Sequence, residues 1–256
     1  MISLSTFGQD RYFARTYNST VLAKGDIDLE FWHTSRLGHR NAFFHAQDQQ
    51  LEIEFGLGKN WQTAFYFNHF QTTVIDSFGN NSTSNEIGFS NEWKWKLTDP
   101  INNRIGSALY AELGWKGDEI ELETKLILDK QIGKNLFAFN LVAEIEQEIE
   151  RKNGKTELKM ESIPVEIDFG YMRNVSKNWG IGFELTDNNR ITKNNGWENS
   201  VLFAGATLNY RSNRWFLIAS ILPQITNIHR SISSPGKRVL DNYEKFEGRL
   251  IIGISL

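Results

Sequence analysis

The chain is predicted to fold as an all-β protein, a transmembrane antiparallel up-and-down β-barrel of about twelve strands. Three observations carry this. Most of the sequence alternates apolar and polar residues with a period of two, over stretches longer than the about five or six residues usual for a soluble strand. The connections between these stretches are by turns tight and variable. The longest nearly apolar run, Trp215 to Pro223, falls far short of the roughly 18 residues a membrane helix requires. A mean hydropathy of -0.43 is compatible with a barrel, because only every second residue meets lipid.

The first 23 residues lack alternation and are assigned to a periplasmic N-terminal segment, with a path for Phe13 to Leu22 across the lumen as the open alternative. The barrel is assigned to residues 24–256. Its strands are expected near 25–37, 44–57, 61–71, 85–98, 104–116, 119–131 and 136–150, each with one apolar and one polar face. The eighth, near 156–172, changes phase, since Leu158 and Met160 are even while Ile163, Val165 and Ile167 are odd. A bulge near Ser162 would allow this, with Pro164 beside it. Strands near 179–187, 198–211 and 214–225 follow, the last two with weak alternation and no assigned faces. The closing strand, from Phe246 to Leu256, is expected to pair with the first.

GKNW at 58–61, TDPINN at 98–103, GKNL at 133–136, SKNW at 176–179 and RSNR at 211–214 read as tight turns at every second connection, a repeat of hairpins. The intervening connections, with 72–84 and 226–242 the longest, read as outer loops. Trp61, Trp179 and Trp215 each follow a tight turn, and Phe137 sits one residue later. All four are expected in an aromatic girdle at the inner interface, where amphipathic rings collect.

Apolar side chains are expected to face lipid and ionised ones the bore. The acidic lining is then Asp28, Glu30, Glu52, Glu54, Glu92, Glu112, Glu121, Glu123, Glu144, Glu146, Glu166, Asp168 and Glu184, and the basic lining Lys94, Lys96, Lys125, Lys245 and Arg249. The first and last strands being neighbours, Asp28 or Glu30 is expected to pair with Lys245 or Arg249. Such a lining reads either as a pairing network that stiffens the lumen or as a narrow pathway favouring cations.

The segments AKGDIDLEFWHTSRLG, QQLEIEFGLGKNWQTAFYFNHF, NEWKWKLTDP, IELETKLIL and WFLIASILPQ resemble a family of bacterial outer-membrane barrels with no assigned function, and more loosely transporters grouped with phenol-degradation operons. The resemblance implies a Gram-negative outer-membrane location, a cleaved signal and a transporter-like role, and it brings no catalytic residues. No cleavable signal is visible in MISLSTFGQD, so the sequence is read as a mature form with an added start Met. The chain ends in Leu256, where such barrels commonly end in an aromatic residue.

The expected partners are membrane lipids, the outer-membrane assembly machinery and a small solute. A net charge of -3 without a basic run offers nucleic acid no purchase. Absent Cys removes disulfides and thiolate metal sites, and no cofactor or metal is assigned. His39, His45 and His229, in or near outer loops, are the weighed alternative for a metal. Two further function classes stay open. His33 and Ser35 share a strand face and read as a lipid-hydrolase-like pair, with Asn68-His69 nearby. Loops 72–84 and 226–242 could instead serve surface recognition.

Overall fold

A computed structural model describes residues 11–40, 42–152, 155–193, 195–232 and 234–256. They form β1 (Ile27–Leu37), β2 (Phe43–Gly58), β3 (Trp61–Ile75), β4 (Asn81–Thr98), β5 (Gly106–Lys116), β6 (Glu119–Ile132), β7 (Asn135–Lys152), β8 (Lys155–Asn174), β9 (Trp179–Thr192), β10 (Gly196–Arg211), β11 (Trp215–Arg230) and β12 (Phe246–Ser255). Each strand pairs antiparallel with its sequence neighbours, and β1 closes the barrel on β12, from Asp28 opposite Ser255 to Leu37 opposite Phe246.

The apolar alternation faces outward. Phe65, Trp93 and Leu126 are 43%, 47% and 39% exposed, while Glu54 and Lys94 on neighbouring positions are 0% and 2% exposed inside the barrel. An apolar belt around a polar interior is the arrangement lipid requires, because the charges then meet each other or water. Phe65→Arg tests the belt directly. Phe65 lies about 13 Å along β3 from the girdle residue Trp61, so the substitution is expected to cost about 2–4 kcal/mol on refolding into lipid bilayers. Refolding titrations would report it, and no loss of stability would count against the membrane assignment.

The start of β1 at Ile27, the end of β12 and the tight turns lie at one end of the barrel, here the turn end. The opposite end is the loop end. At the turn after β2, Lys59 and Asn60 adopt φ of 52° and 68°, the two left-handed positions of a type I′ turn, which suit Asn. At the turn end, Trp95, Tyr171 and Tyr210 pack on the four aromatic residues named for the girdle. Trp61 stacks on Trp95 at 5.2 Å, Phe137 packs on Tyr171 at 5.1 Å, and Tyr210 lies 4.7 Å from Trp179 and 4.8 Å from Trp215.

The strands run further toward the loop end than the alternation suggested. β3 and β4 extend to Ile75 and back to Asn81, so the expected loop 72–84 is mostly a hairpin. Its turn is held by Asp76, which accepts from the Asn80 side chain at 2.8 Å and from the backbone N–H of Phe78 and Asn80. These bonds, the Asn80 side chain first, keep its carboxyl below the usual range. β9 likewise reaches Thr192 and β11 reaches Arg230. Thr, Ser and Asn on both faces carry no apolar signal, because these extensions rise above the belt.

The expected bulge is present. Glu146 pairs with Ser162 and Gln147 with Met160, which leaves Glu161 as the extra residue. β10 slips twice against β11, and the inner faces of both are partly apolar. Val201, Phe203, Phe216, Ile218 and Leu222, with Ile251 of β12, are buried inside the barrel. The expectation of an ionised bore throughout is therefore corrected on this side.

Candidate functional site: a lumen filled by the N-terminal arch

Residues 11–23 enter at the turn end, rise to mid-height at Arg15 and descend across the bore to Ala23. Residues 11–23 thus lie within the bore, and residues 1–10 lie outside the described residues. Buried Phe13, Ala14, Thr16, Ser19 and Leu22 form the spine of this arch. The wall supplies the hydrogen bonds that an isolated irregular segment lacks. Asn140 accepts from the N–H of Tyr17 at 2.7 Å and donates to its carbonyl at 2.9 Å, as a strand partner would. Glu184 accepts from the N–H of Ala14 at 2.7 Å and of Arg15 at 3.2 Å. Ser19 donates to Asp129, and the Leu22 N–H to Gln62.

Glycines clear the space. A Cβ on Gly170 would lie 2.9 Å from the Phe13 ring, and one on Gly56 would lie 1.9 Å from the Ala23 carbonyl oxygen. Phe13 fills a pocket of Leu136, Ala138 and Met172, and Ala14 packs with Trp32, Phe216, Ile218 and Ile251.

Two arginines anchor the arch in the acidic wall. Arg15 is bidentate to Glu247, through Nε at 2.9 Å and Nη2 at 2.7 Å, and its Nη1 bonds Glu166 at 2.9 Å. Arg11 lies between the Tyr17 and Trp32 rings, 4.3 and 4.2 Å from their centroids, with Nε 3.5 Å from Glu30 and Nη2 4.0 Å from Glu52. On the far side Lys125 sits 4.1 Å above Tyr17, which meets Tyr110 edge-on.

The remaining sequence-derived residues divide clearly. Glu54, Glu92, Lys94 and Asp168 are buried on the inner face beside or below the arch. Lys96 faces inward at the turn-end rim, 3.9 Å from Asp99. Glu112, Glu121, Glu123, Glu144 and Glu146 line the wider loop-end half. There Glu123 stands opposite Glu112 on one side and Glu144 on the other, and Glu121 opposite Glu146. Glu119 opposite Glu148 continues this ladder, which the sequence listing of the lining left unpaired. Like charges directly opposite destabilise a sheet unless water or cations intervene. A cavity of about 350 Å³ opens above Arg15 against this wall, capped by Tyr243 and Glu244.

Two expectations are corrected. Lys245 does not line the bore: it precedes β12 at the loop-end rim, with its stem over Gly38. Asp28 and Glu30 do not pair with Lys245 or Arg249, because the antiparallel register sets Asp28 opposite Ser255 and Arg249 opposite Thr34, whose hydroxyl accepts from Arg249 Nε at 2.9 Å. Ser35 bonds His45 Nε2 at 2.9 Å rather than His33, and the pair lies on the outer wall above the belt, where Gln47 and Gln49 also face outward. His39 stacks on Phe44 and His229 on Trp197, so the three loop histidines have separate partners. Residues 234–245 fold inward, with Val239 on Val201, Phe203 and Leu222 and Gln224 bonding the carbonyls of Val239 and Glu244.

A model of a family of unknown function, DUF6662, matches residues 5–256. No curated protein matches the sequence. Among solved structures, an outer-membrane channel from Pseudomonas putida F1 is similar with a TM-score of 0.62 at 10% identity, over 92% of this chain and 97% of that one. The β domain of the Bordetella autotransporter BrkA gives 0.62 at 10% identity, over 91% and 100%. The NanC porin gives 0.52 at 10% identity, over 90% and 98%. Likeness at this identity shows the fold, that of bacterial outer-membrane barrels.

Proposed function

We propose, from the premise that the chain belongs to the DUF6662 family, that it is an outer-membrane channel for small solutes. In this reading it weakly favours cations, and its own N-terminal arch closes its periplasmic half. The short-turn end is periplasmic, as in barrels of this architecture. The observation that supports the reading is the carboxylate ladder of the loop-end half: Glu119/Glu148, Glu121/Glu146 and Glu123/Glu144 stand side by side on β6 and β7, and Glu123, Glu144 and Glu146 line the cavity. Lys125 and Lys116 offset part of this charge, at 2.9 Å from Glu123 and 3.4 Å from Glu119. The excess raises the local concentration of cations at the mouth.

Reversal potentials in planar bilayers under a salt gradient test this, with the chain starting at Lys24 used alongside the full chain. The expected sign is that of cation preference. It moves toward zero when Glu121, Glu123, Glu144 and Glu146 are changed together to Gln. An anion-selective sign, or no conductance from either form, overturns the proposal.

A further inference from the structure

We propose that the lumen wall of β2–β4 holds one divalent cation, with Ca²⁺ preferred over Mg²⁺, ligated by Glu52, Glu54 and Glu92. The carboxylate oxygens of these three residues lie within 4.8 Å of one another, and all three side chains are buried. Two oxygens on opposite sides of a Ca²⁺, each at about 2.4 Å, would be about 4.8 Å apart.

The register builds the convergence. Glu54 and Glu92 both stand directly opposite Ala64, one on each side, and Ala64 is fully buried. Its methyl group is small, so the flanking carboxylates can approach over it. Glu52, two residues from Glu54 on the same face of β2, reaches in from the next row.

Neutral donors orient the ligands, as the outer shell of a metal site does. The Tyr66 hydroxyl donates to Glu92 Oε2, and Gln62 Nε2 donates to Glu54 Oε1 at 3.0 Å. Glu52 differs. It is 0% exposed, neither of its oxygens accepts a hydrogen bond among the described residues, and its ion pair with Arg11 Nη2 is long, at 4.0 Å. A buried carboxylate in that position calls for a partner.

Charge points the same way. Among the described residues, Asp28, Glu30, Glu52, Glu54 and Glu92 are five buried carboxylates on adjoining inner positions, and Arg11 and Lys94 are the buried cations beside them. Oxygens of Asp28, Glu30 and Glu54 also converge within 4.8 Å, so negative charge surrounds the site on two sides. All three carboxylates are buried, so an ion held by them sheds most of its hydration shell, which disfavours Mg²⁺, an ion that dehydrates reluctantly.

The test is calcium chloride titrated into chelator-treated, refolded full-length barrel, followed by calorimetry and by the thermal unfolding midpoint. One Ca²⁺ per chain is expected, with a rise in Tm. Both are lost in Glu52→Gln and in Glu92→Gln, while Tyr66→Phe, which removes only a positioning bond, weakens binding about tenfold. Glu121→Gln, at the loop-end ladder, leaves the tight site intact. Heat-modifiable migration on gels establishes that each variant is a folded barrel. Should Glu52→Gln misfold, Tyr66→Phe and Ala64→Leu, which fills the gap, take its place. Absence of binding overturns the site and leaves protons as the neutralising charge. So does weak binding of several ions that Glu52→Gln does not change.

Discussion

A chain beginning at Lys24 will conduct steadily in planar bilayers where the full chain does not. Residues 11–23 touch every strand of the barrel: Trp32, Glu52, Gln62, Lys94, Tyr110, Asp129, Asn140, Glu166, Glu184, Asn209, Phe216 and Glu247 each meet the arch. Removing it empties the periplasmic half of the bore. The newly wetted wall is mostly polar, with Glu184, Asn140, Glu166 and Glu247 among its side chains, so it hydrates rather than collapses. The barrel itself should persist, because its closure depends on the β1–β12 ladder from Asp28 to Leu37. Stability will fall, since burying Phe13 and Leu22 contributes about 1.5–3 kcal/mol each. Single-channel recording measures the opening, and heat-modifiable migration on gels shows that the barrel remains. Equal conductance from the two forms would mean that the arch is not a barrier.

Arg15→Glu will unseat the arch without shortening the chain. Arg15 satisfies Glu247, which is 2% exposed, through two parallel bonds, and reaches Glu166 with its third nitrogen. Reversing its charge sets a carboxylate among Glu166, Glu184 and Glu247. Breaking a buried ion pair by removing one partner costs about 3–5 kcal/mol, which bears on docking of the arch rather than on the barrel ladder. Transient openings in the full-length chain are expected, together with cleavage of the N-terminal segment by protease added from the periplasmic side. Arg15→Lys keeps the charge but loses the bidentate geometry, and its opening frequency should fall between the other two. A variant as quiet and as protease-resistant as the unaltered chain would remove Arg15 as the anchor.

How much was readable follows from the range of each interaction. Phe65 outward and Glu54 inward need nothing beyond the local period, since alternate residues of a strand face opposite ways. The phase change at Met160 and Ile163 located a bulge because it broke that period. Trp61 and Trp179 marked the turn end by repeating at one register. Tyr171 and Tyr210 belong to the same girdle but close hairpins from the other side, so no turn motif immediately precedes them. The upper parts of β3, β4 and β9 were missed because above the belt no apolar face remains to alternate.

From the sequence by itself, the all-β class, the number of strands, the inner and outer faces of all but β10 and β11, and the end that carries the tight turns were determined, because each rests on residues within a few positions of one another. The tertiary structure alone decided what fills the bore. Arg15 meets Glu247 across 232 residues and Tyr17 meets Asn140 across 123. The apolar inner faces of β10 and β11 likewise acquire a purpose only against Ala14 and Val239. An aperiodic segment carries no local sign of being enclosed; its place depends on hydrogen bonds and charges that distant strands present once the barrel has closed.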